Sequence, residues 1–236
     1  MNFRKDVNTV NELLFFATIL ATFSLVVIVH YLFGKDGLYA WIAFAVVFAN
    51  ILVTKCIRLF GMEVTLGNVL FGTVFLCTDM LNEMYGYQQS RKGVYIGLFA
   101  ILSYLALSQL GIRFIPSDLD MVDGAMQTLF ALTPRTCIAS VSMFLFSNLL
   151  DVWLFQWLKS ETCGKMLWLR NNVSTCFSQV VENFFFFFIA FSGIFTISDI
   201  IELTVCVSLI EVAVALCDTP FLYLARRIGT RAHGME

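Results

Sequence analysis

Asp79, Asn82 and Glu83 stand at i, i+3 and i+4, so a helix carries all three on one face. They belong to Thr78-Asp79-Met80-Leu81-Asn82-Glu83-Met84-Tyr85-Gly86, which closes the apolar run Leu66–Cys77. Two carboxylates, an amide and the Tyr85 phenol therefore lie at or near hydrocarbon depth. A charge at that depth costs at least ~2.5–3.5 kcal/mol, so such residues normally face a cavity and have a function. The plainer alternative is a helix end reaching headgroup water, where acids are cheap.

Three further pairs extend the pattern. Asn148 and Asp151 sit at i, i+3 among Leu149, Leu150, Val152 and Trp153, and Gln179 and Glu182 repeat the spacing just before Phe184–Phe188. Glu211 and Asp218 are about two turns apart and share a helix face. Amides inside a membrane can simply join helices, a fair alternative for Asn50 and Gln109. That alternative suits Asp151, Glu182 and Asp218 poorly, because no Lys or Arg lies in the interior of the expected spans to neutralise them. Unpaired, these acids must be protonated, wet, or matched by a cationic ligand. The Phe184–Phe188 run covers every side of a helix, so most rings are packing, with one or two available to a pocket.

These positions require a membrane to matter, and composition supplies one. Of 236 residues, 59% are hydrophobic and only 14% are charged, against roughly 25% charged in soluble domains. A single polytopic membrane domain, residues 1–236, is expected. The net charge of -2 comes with no basic cluster interleaved with aromatics, so nucleic acid is not an expected partner. Seven scattered Cys lack metal-like pairing and read as small apolar residues, and His30 and His233 are isolated; no metal or cofactor is expected. Met1–Asn11 is short and polar and no small-residue cleavage site follows, so the first span is expected to be retained.

Spans are expected at Glu12–Phe33, Leu38–Ile57, Gly93–Leu110, Arg135–Leu158, Asn172–Phe195 and Ile200–Ala225, each near the ~20 residues that cross a bilayer. Gly34-Lys35-Asp36-Gly37 is a turn, Ile112–Thr133 a long acidic connection, and Gly93 with Gly97 has the spacing of close helix packing. The segment Met62–Tyr85 is ambiguous. If it dips in and returns, Arg4/Lys5, Lys55/Arg58, Arg91/Lys92, Lys159–Arg170 and Arg226–Arg231 all fall on the cytoplasmic side, as cationic loops do. The expectation is thus an all-α protein of six transmembrane helices plus one re-entrant or broken segment, with both termini cytoplasmic. Broken backbone at that depth must be covered by protein or line a cavity. Arg170-Asn171-Asn172-Val173-Ser174-Thr175 is expected to open a helix, where Asn and Ser are good caps.

Three separated motifs carry a resemblance: Thr78-Asp79-x-x-Asn82-Glu83-x-Tyr85-Gly86, then Arg170-Asn171-Asn172-x-Ser174-Thr175, then Asp218-Thr219-Pro220. In order, over about residues 60–225, they resemble the queuosine precursor transporter family, also called VUT. The resemblance implies a plasma-membrane importer of 7-deazaguanines (preQ0, preQ1 or queuine) and a fold like the six-helix substrate-binding subunits of vitamin uptake systems. Those motifs and the polar residues inside the spans together give an expected substrate site of Asp79, Asn82, Glu83, Tyr85, Asn148, Asp151, Arg170, Asn171, Asn172, Gln179, Glu182 and Asp218. After Gln179 the family pattern has Asp-Thr, whereas this chain has Glu182-Asn183, a carboxylate one methylene longer.

The residue types fit such a ligand. A deazaguanine offers a ring NH beside an exocyclic NH2, which one carboxylate accepts as a bidentate pair. Its carbonyl suits an amide NH2 and its flat face suits an aromatic ring. Three classes stay open: a stand-alone carrier, a binding subunit driven by a separate ATPase, and an intramembrane enzyme. The last has no nucleophile–base pair, metal set or phosphate loop in its favour. Neither energy coupling nor oligomeric state is legible.

Overall fold

Seven helices and one short hairpin make up the described residues. The computed structural model describes the backbone of residues 3–130 and 134–232, and side chains over 10–130 and 137–229. Arg4, Lys5, Arg231 and His233 fall outside the described side chains. α1 (Phe3–Leu52) is two antiparallel arms joined at Gly34, whose φ of 59° and ψ of -139° are open only to glycine. The first two expected spans are these arms. The second arm ends at Leu52 rather than Ile57, because Cys56–Leu59 (β1) and Met62–Thr65 (β2) form an antiparallel hairpin.

α2 (Asn68–Tyr85) follows the hairpin, and it is one unbroken helix. The segment Met62–Tyr85, expected to be re-entrant or broken, is thus a strand of the hairpin followed by one continuous helix. At ~1.5 Å per residue, its 18 residues reach about 27 Å, close to a bilayer core. Its two ends also lie at opposite ends of α1. Asn11, early in the first arm, donates to the carbonyl of Arg58 in the hairpin, whereas Tyr85 meets His30 beside the Gly34 bend. The physical reason that the helix tolerates so many polar groups is burial in protein. Fourteen of its residues are buried, and α1, α3, α5 and α7 enclose it, so no face meets lipid.

α3 (Tyr87–Gly111) runs back after Gly86, and α4 (Asp123–Phe130) is a short helix in the acidic connection. Gly93 and Gly97 do mark close packing. A Cβ on Gly93 would press on Ile42 and Leu81, and one on Gly97 would press on Phe144. α5 (Pro134–Glu161), α6 (Leu167–Phe191) and α7 (Ile197–Ala232) complete the bundle. α6 starts five residues before the expected Asn172, so the 170–175 motif lies inside its first turns instead of capping it. Five helices, α1, α3, α5, α6 and α7, are long and apolar enough to cross a membrane, and α1 does so twice through its bend. Large apolar side chains such as Leu20, Phe44, Phe99, Phe177 and Leu209 stand exposed around the outside, as lipid contact requires. This is a multi-pass helical membrane protein.

With α2 running the length of the bundle, Asn11 at the start of α1 and Arg226 late in α7 lie at opposite ends of it. The Gly34 end gathers Tyr85, Arg91, Lys92, Lys159, Arg170 and Arg226. The hairpin end gathers Lys55, Arg58 and Glu63, with Asp199 and Glu202 beside the hairpin across a shallow groove.

Candidate functional site

The buried polar residues fall into three layers along the bundle. The first is a cavity of about 170 Å³ in the hairpin-end half, between α1, α2, α5, α6 and α7. It is lined by two carboxylates, Glu182 and Glu211, and by the amides of Asn50, Asn68, Gln179 and Asn183. Phe71, Phe75, Phe144, Phe186 and Phe187 supply the apolar walls. Glu182 Oε2 accepts from Ser147 Oγ at 2.7 Å, and Asn183 Nδ2 donates to Glu211 Oε2 and to Ser208 Oγ. Gln179 Oε1 and Asn68 Nδ2 are buried without a partner, one acceptor and one donor at the cavity wall. Within the phenylalanine run, Phe184, Phe185 and Phe188 are exposed while Phe186 and Phe187 turn inward.

The second layer lies one to two turns further toward the Gly34 end. Asp79 of α2, Asp151 of α5 and Asp218 of α7 meet Asn171 and Thr175 of α6. Thr175 Oγ1 is 3.3 Å from both Asp79 Oδ2 and Asp151 Oδ1. Asn171 Nδ2 donates to Asp218 Oδ1 at 2.6 Å, and Thr219 Oγ1 accepts from Asn171 and Asn172. Thus the second and third sequence motifs interlock as an α6–α7 contact. None of these three acids lines the cavity.

The third layer closes the Gly34 end. Glu83 sits in ion pairs with Arg170, with Lys159 at 3.2 Å and with Arg226 at 3.3 Å. Arg170 is fully buried, also donates to the Lys165 carbonyl, and lies 5.3 Å over the Phe155 ring. Lys159 additionally holds the Asn82 and Glu83 carbonyls at the end of α2. The expectation of spans free of Lys and Arg therefore fails at Arg170, because α6 begins earlier than its apolar stretch suggests.

The remaining expected site residues have local partners. Asn82 Nδ2 donates to the Val152 carbonyl and ties α2 to α5. Tyr85 is 3.2 Å from His30 Nε2, and Asn148 Nδ2 donates to Phe144 O of its own helix. Gln179 and Glu182 are thus the two expected site residues that line the cavity. Glu211, Asn183, Asn68 and Asn50 complete it; Glu211 and Asn50 were visible as polar residues in apolar runs, but nothing in the sequence joined them to Glu182. No group of three or more His, Cys, Asp or Glu at metal-binding spacing exists among the described residues.

A multi-pass helical bundle whose interior holds a cavity lined by carboxylates, amides and phenylalanine rings has the architecture of a small-molecule transporter. Comparison with known proteins agrees. Residues 65–225 match the family model described as "Putative vitamin uptake transporter". The chain is 38% identical to the "Probable queuosine precursor transporter" of Bacillus subtilis over 91% of this chain and 93% of that protein. It is 28% identical to the "Queuosine precursor transporter" of Escherichia coli over 61% of this chain and 62% of that protein. No solved structure matches significantly. The chain belongs to the queuosine precursor transporter (VUT) family, whose members are named as transporters rather than enzymes.

Proposed function

We propose that this protein imports a queuosine precursor, a 7-deazaguanine, across the plasma membrane, and that the Glu182 cavity reads the base. One observation carries this reading: carboxylates, amides and phenylalanine rings converge on one cavity that holds no Lys or Arg. Glu182 accepts the ring NH and exocyclic NH2 as a charge-assisted pair, steadied by Ser147 behind it. Gln179 and Asn68 answer the carbonyl and the remaining ring positions with the polar atoms they hold unpaired. Glu211, gripped by Asn183, gives an aminomethyl substituent a counter-charge. Arg170, Asn171, Asn172, Asn82 and Tyr85 shape the inner half around this site rather than touching the base.

Charge supports one orientation. Arg91, Lys92, Lys159, Lys165, Arg170, Arg226 and Arg227 lie at the Gly34 end, whereas the other end has only Lys55, Arg58 and Arg113 against Glu63, Asp118, Asp120, Asp123, Asp199 and Glu202. Cationic loops stay cytoplasmic, so the Gly34 end and the C-terminus face the cytoplasm and the N-terminus faces outward. The cavity then occupies the outer half, and the Glu83 ion pairs shut the inner end. The deciding experiment is uptake of labelled preQ0 and preQ1 by this chain expressed alone, in cells lacking queuosine synthesis and any partner ATPase. Uptake establishes a stand-alone carrier; binding without uptake makes it a subunit of an ATPase-driven system; neither binding nor uptake refutes the reading.

A further inference from the structure

The base cavity leaves the middle layer of acids without a task. We infer that Asp79 and Asp151, with Asp218 and Asn171 around them, form a proton-binding site separate from the base site, and that a proton from the outer medium enters the cytoplasm with each base. This rests on the transport reading above.

Position separates the two sites. Glu182 and Thr175 are seven residues apart on α6, about 10 Å along the helix, and Asp79, Asp151 and Asp218 lie beyond the cavity wall. Beside the Ser174 and Thr175 hydroxyls at Asp151, the charged and titratable groups that face the three acids are few. From α6 come Arg170 and Cys176, from α7 Cys217, and from α2 Glu83 one turn on. Arg170, the one cation among them, gives its terminal nitrogens to the Lys165 carbonyl and Glu83, and its Nε is buried without a partner. No ion pair among the described residues reaches Asp79, Asp151 or Asp218.

The acids and their amide neighbour share one kind of unmet atom. Asp79 Oδ1, Asp151 Oδ2, Asp218 Oδ2 and Asn171 Oδ1 are all buried acceptors with no donor. Asn171 is fully buried, and its own NH2 on Asp218 holds the orphan Oδ1 at the cluster. Ser178 Oγ, buried one turn along α6 toward the cavity, is also without a partner. Thr175 sharpens the deficit: its hydroxyl owns one proton and stands 3.3 Å from two carboxylates. It can donate to one; the other contact becomes a hydrogen bond only when that carboxyl is protonated and donates to Oγ1. One added proton therefore completes this arrangement. A divalent ion does not suit it, since no three acids among the described residues share metal-binding spacing.

The step balances simply. An outer hydronium gives its proton to one carboxylate of the Asp79–Asp151 pair, forming an O–H bond and leaving water. The same O–H breaks to cytoplasmic water when the Glu83 ion pairs separate. Ser147, Asn148 and Asp151 on α5, with Ser178 and Thr175 on α6, form the polar stripe between cavity and acids.

The test uses the purified full chain in proteoliposomes with an inward pH gradient of about one unit, which holds up to ~10-fold accumulation at one proton per base. Wild type is expected to accumulate both preQ1 and the uncharged nitrile preQ0 by that order, and to lose this with a protonophore. Asp79→Asn and Asp151→Asn are expected to keep base affinity in detergent but lose the gradient response. Wild-type uptake indifferent to the gradient overturns the proposal, and this measurement needs no variant to fold. A gradient response confined to preQ1 makes the cation the ligand's own ammonium and also overturns it. Loss of base affinity in the Asp variants would put the acids in the base site and do the same. Wild-type protein that binds no 7-deazaguanine would instead sink the transport reading itself, a separable failure.

Discussion

Glu83 and Glu182 are both glutamates inside the bundle, one in each half, and their surroundings are opposite. Glu83 is held by Arg170, Lys159 and Arg226, from α6, α5 and α7 respectively. Glu182 has a single serine hydroxyl and an open cavity in front of it. A carboxylate surrounded by cations contributes to closure and rigidity, and it has no spare lone pairs for a ligand. A carboxylate with one neutral donor keeps its acceptor capacity for whatever enters. The lesson is that an intramembrane acid is informative only together with its neighbours. Asp79, one turn from Glu83 on the same helix face, has none of those cations within ion-pair distance, and that single turn separates the inner lock from the layer above it.

The contrast can be broken at several strengths. The orientation behind it is all-or-none: a reporter active only in the cytoplasm should work when fused after Lys165 or Arg231, and stay dark after Asp120 or at the N-terminus. Activity at both termini would return α2 to a re-entrant course and remove the inner-versus-outer assignment. Next in size, Glu83→Gln leaves fully buried Arg170 without its carboxylate, a loss of about 3–5 kcal/mol for a broken buried pair. Lys159→Met, at a quarter-exposed partner, should cost no more than about 1 kcal/mol. Thermal unfolding in detergent ranks the two; equal effects would deny Arg170 its special place.

On the ligand side, Glu182→Gln swaps an acceptor for a donor facing the base's own donors. Base binding should weaken by about 2–4 kcal/mol while thermal stability holds. Near-normal affinity at normal abundance would remove Glu182 from the site. Ser147→Ala is the mildest probe. It removes the one hydroxyl supporting Glu182 and should weaken equilibrium binding by about 1 kcal/mol, roughly fivefold. No change would mean that the carboxylate needs no positioning from α5.

Most of the architecture was legible because the bilayer imposes it. Apolar runs of about 20 residues mark helices whatever the tertiary packing, and five of the six expected spans overlap helices that are long and apolar on their own. The sixth is the second arm of α1, separated from the first by a glycine conformation that the turn residues foretold. Hydropathy failed at α2, where its rule does not apply: a helix wrapped by other helices sees protein rather than lipid, so Asp79, Asn82 and Glu83 need no membrane exit. The charge map depends on that segment, since one crossing more or less decides which face the N-terminus takes.

The amino-acid sequence alone determined that this is a helical membrane protein, which residues are too polar to face lipid, and which family its motifs belong to. Those properties are local, set by side-chain transfer energies and short-range spacing. Tertiary structure decided which polar residues meet: Glu182 with Glu211, Asn68 and Asn50 at one cavity, Asp79 with Asp151 and Asp218 behind it, and Glu83 with three cations at the end. Those meetings depend on how α2, α5, α6 and α7 rotate against each other, and helix periodicity specifies a face without naming the helix it will meet.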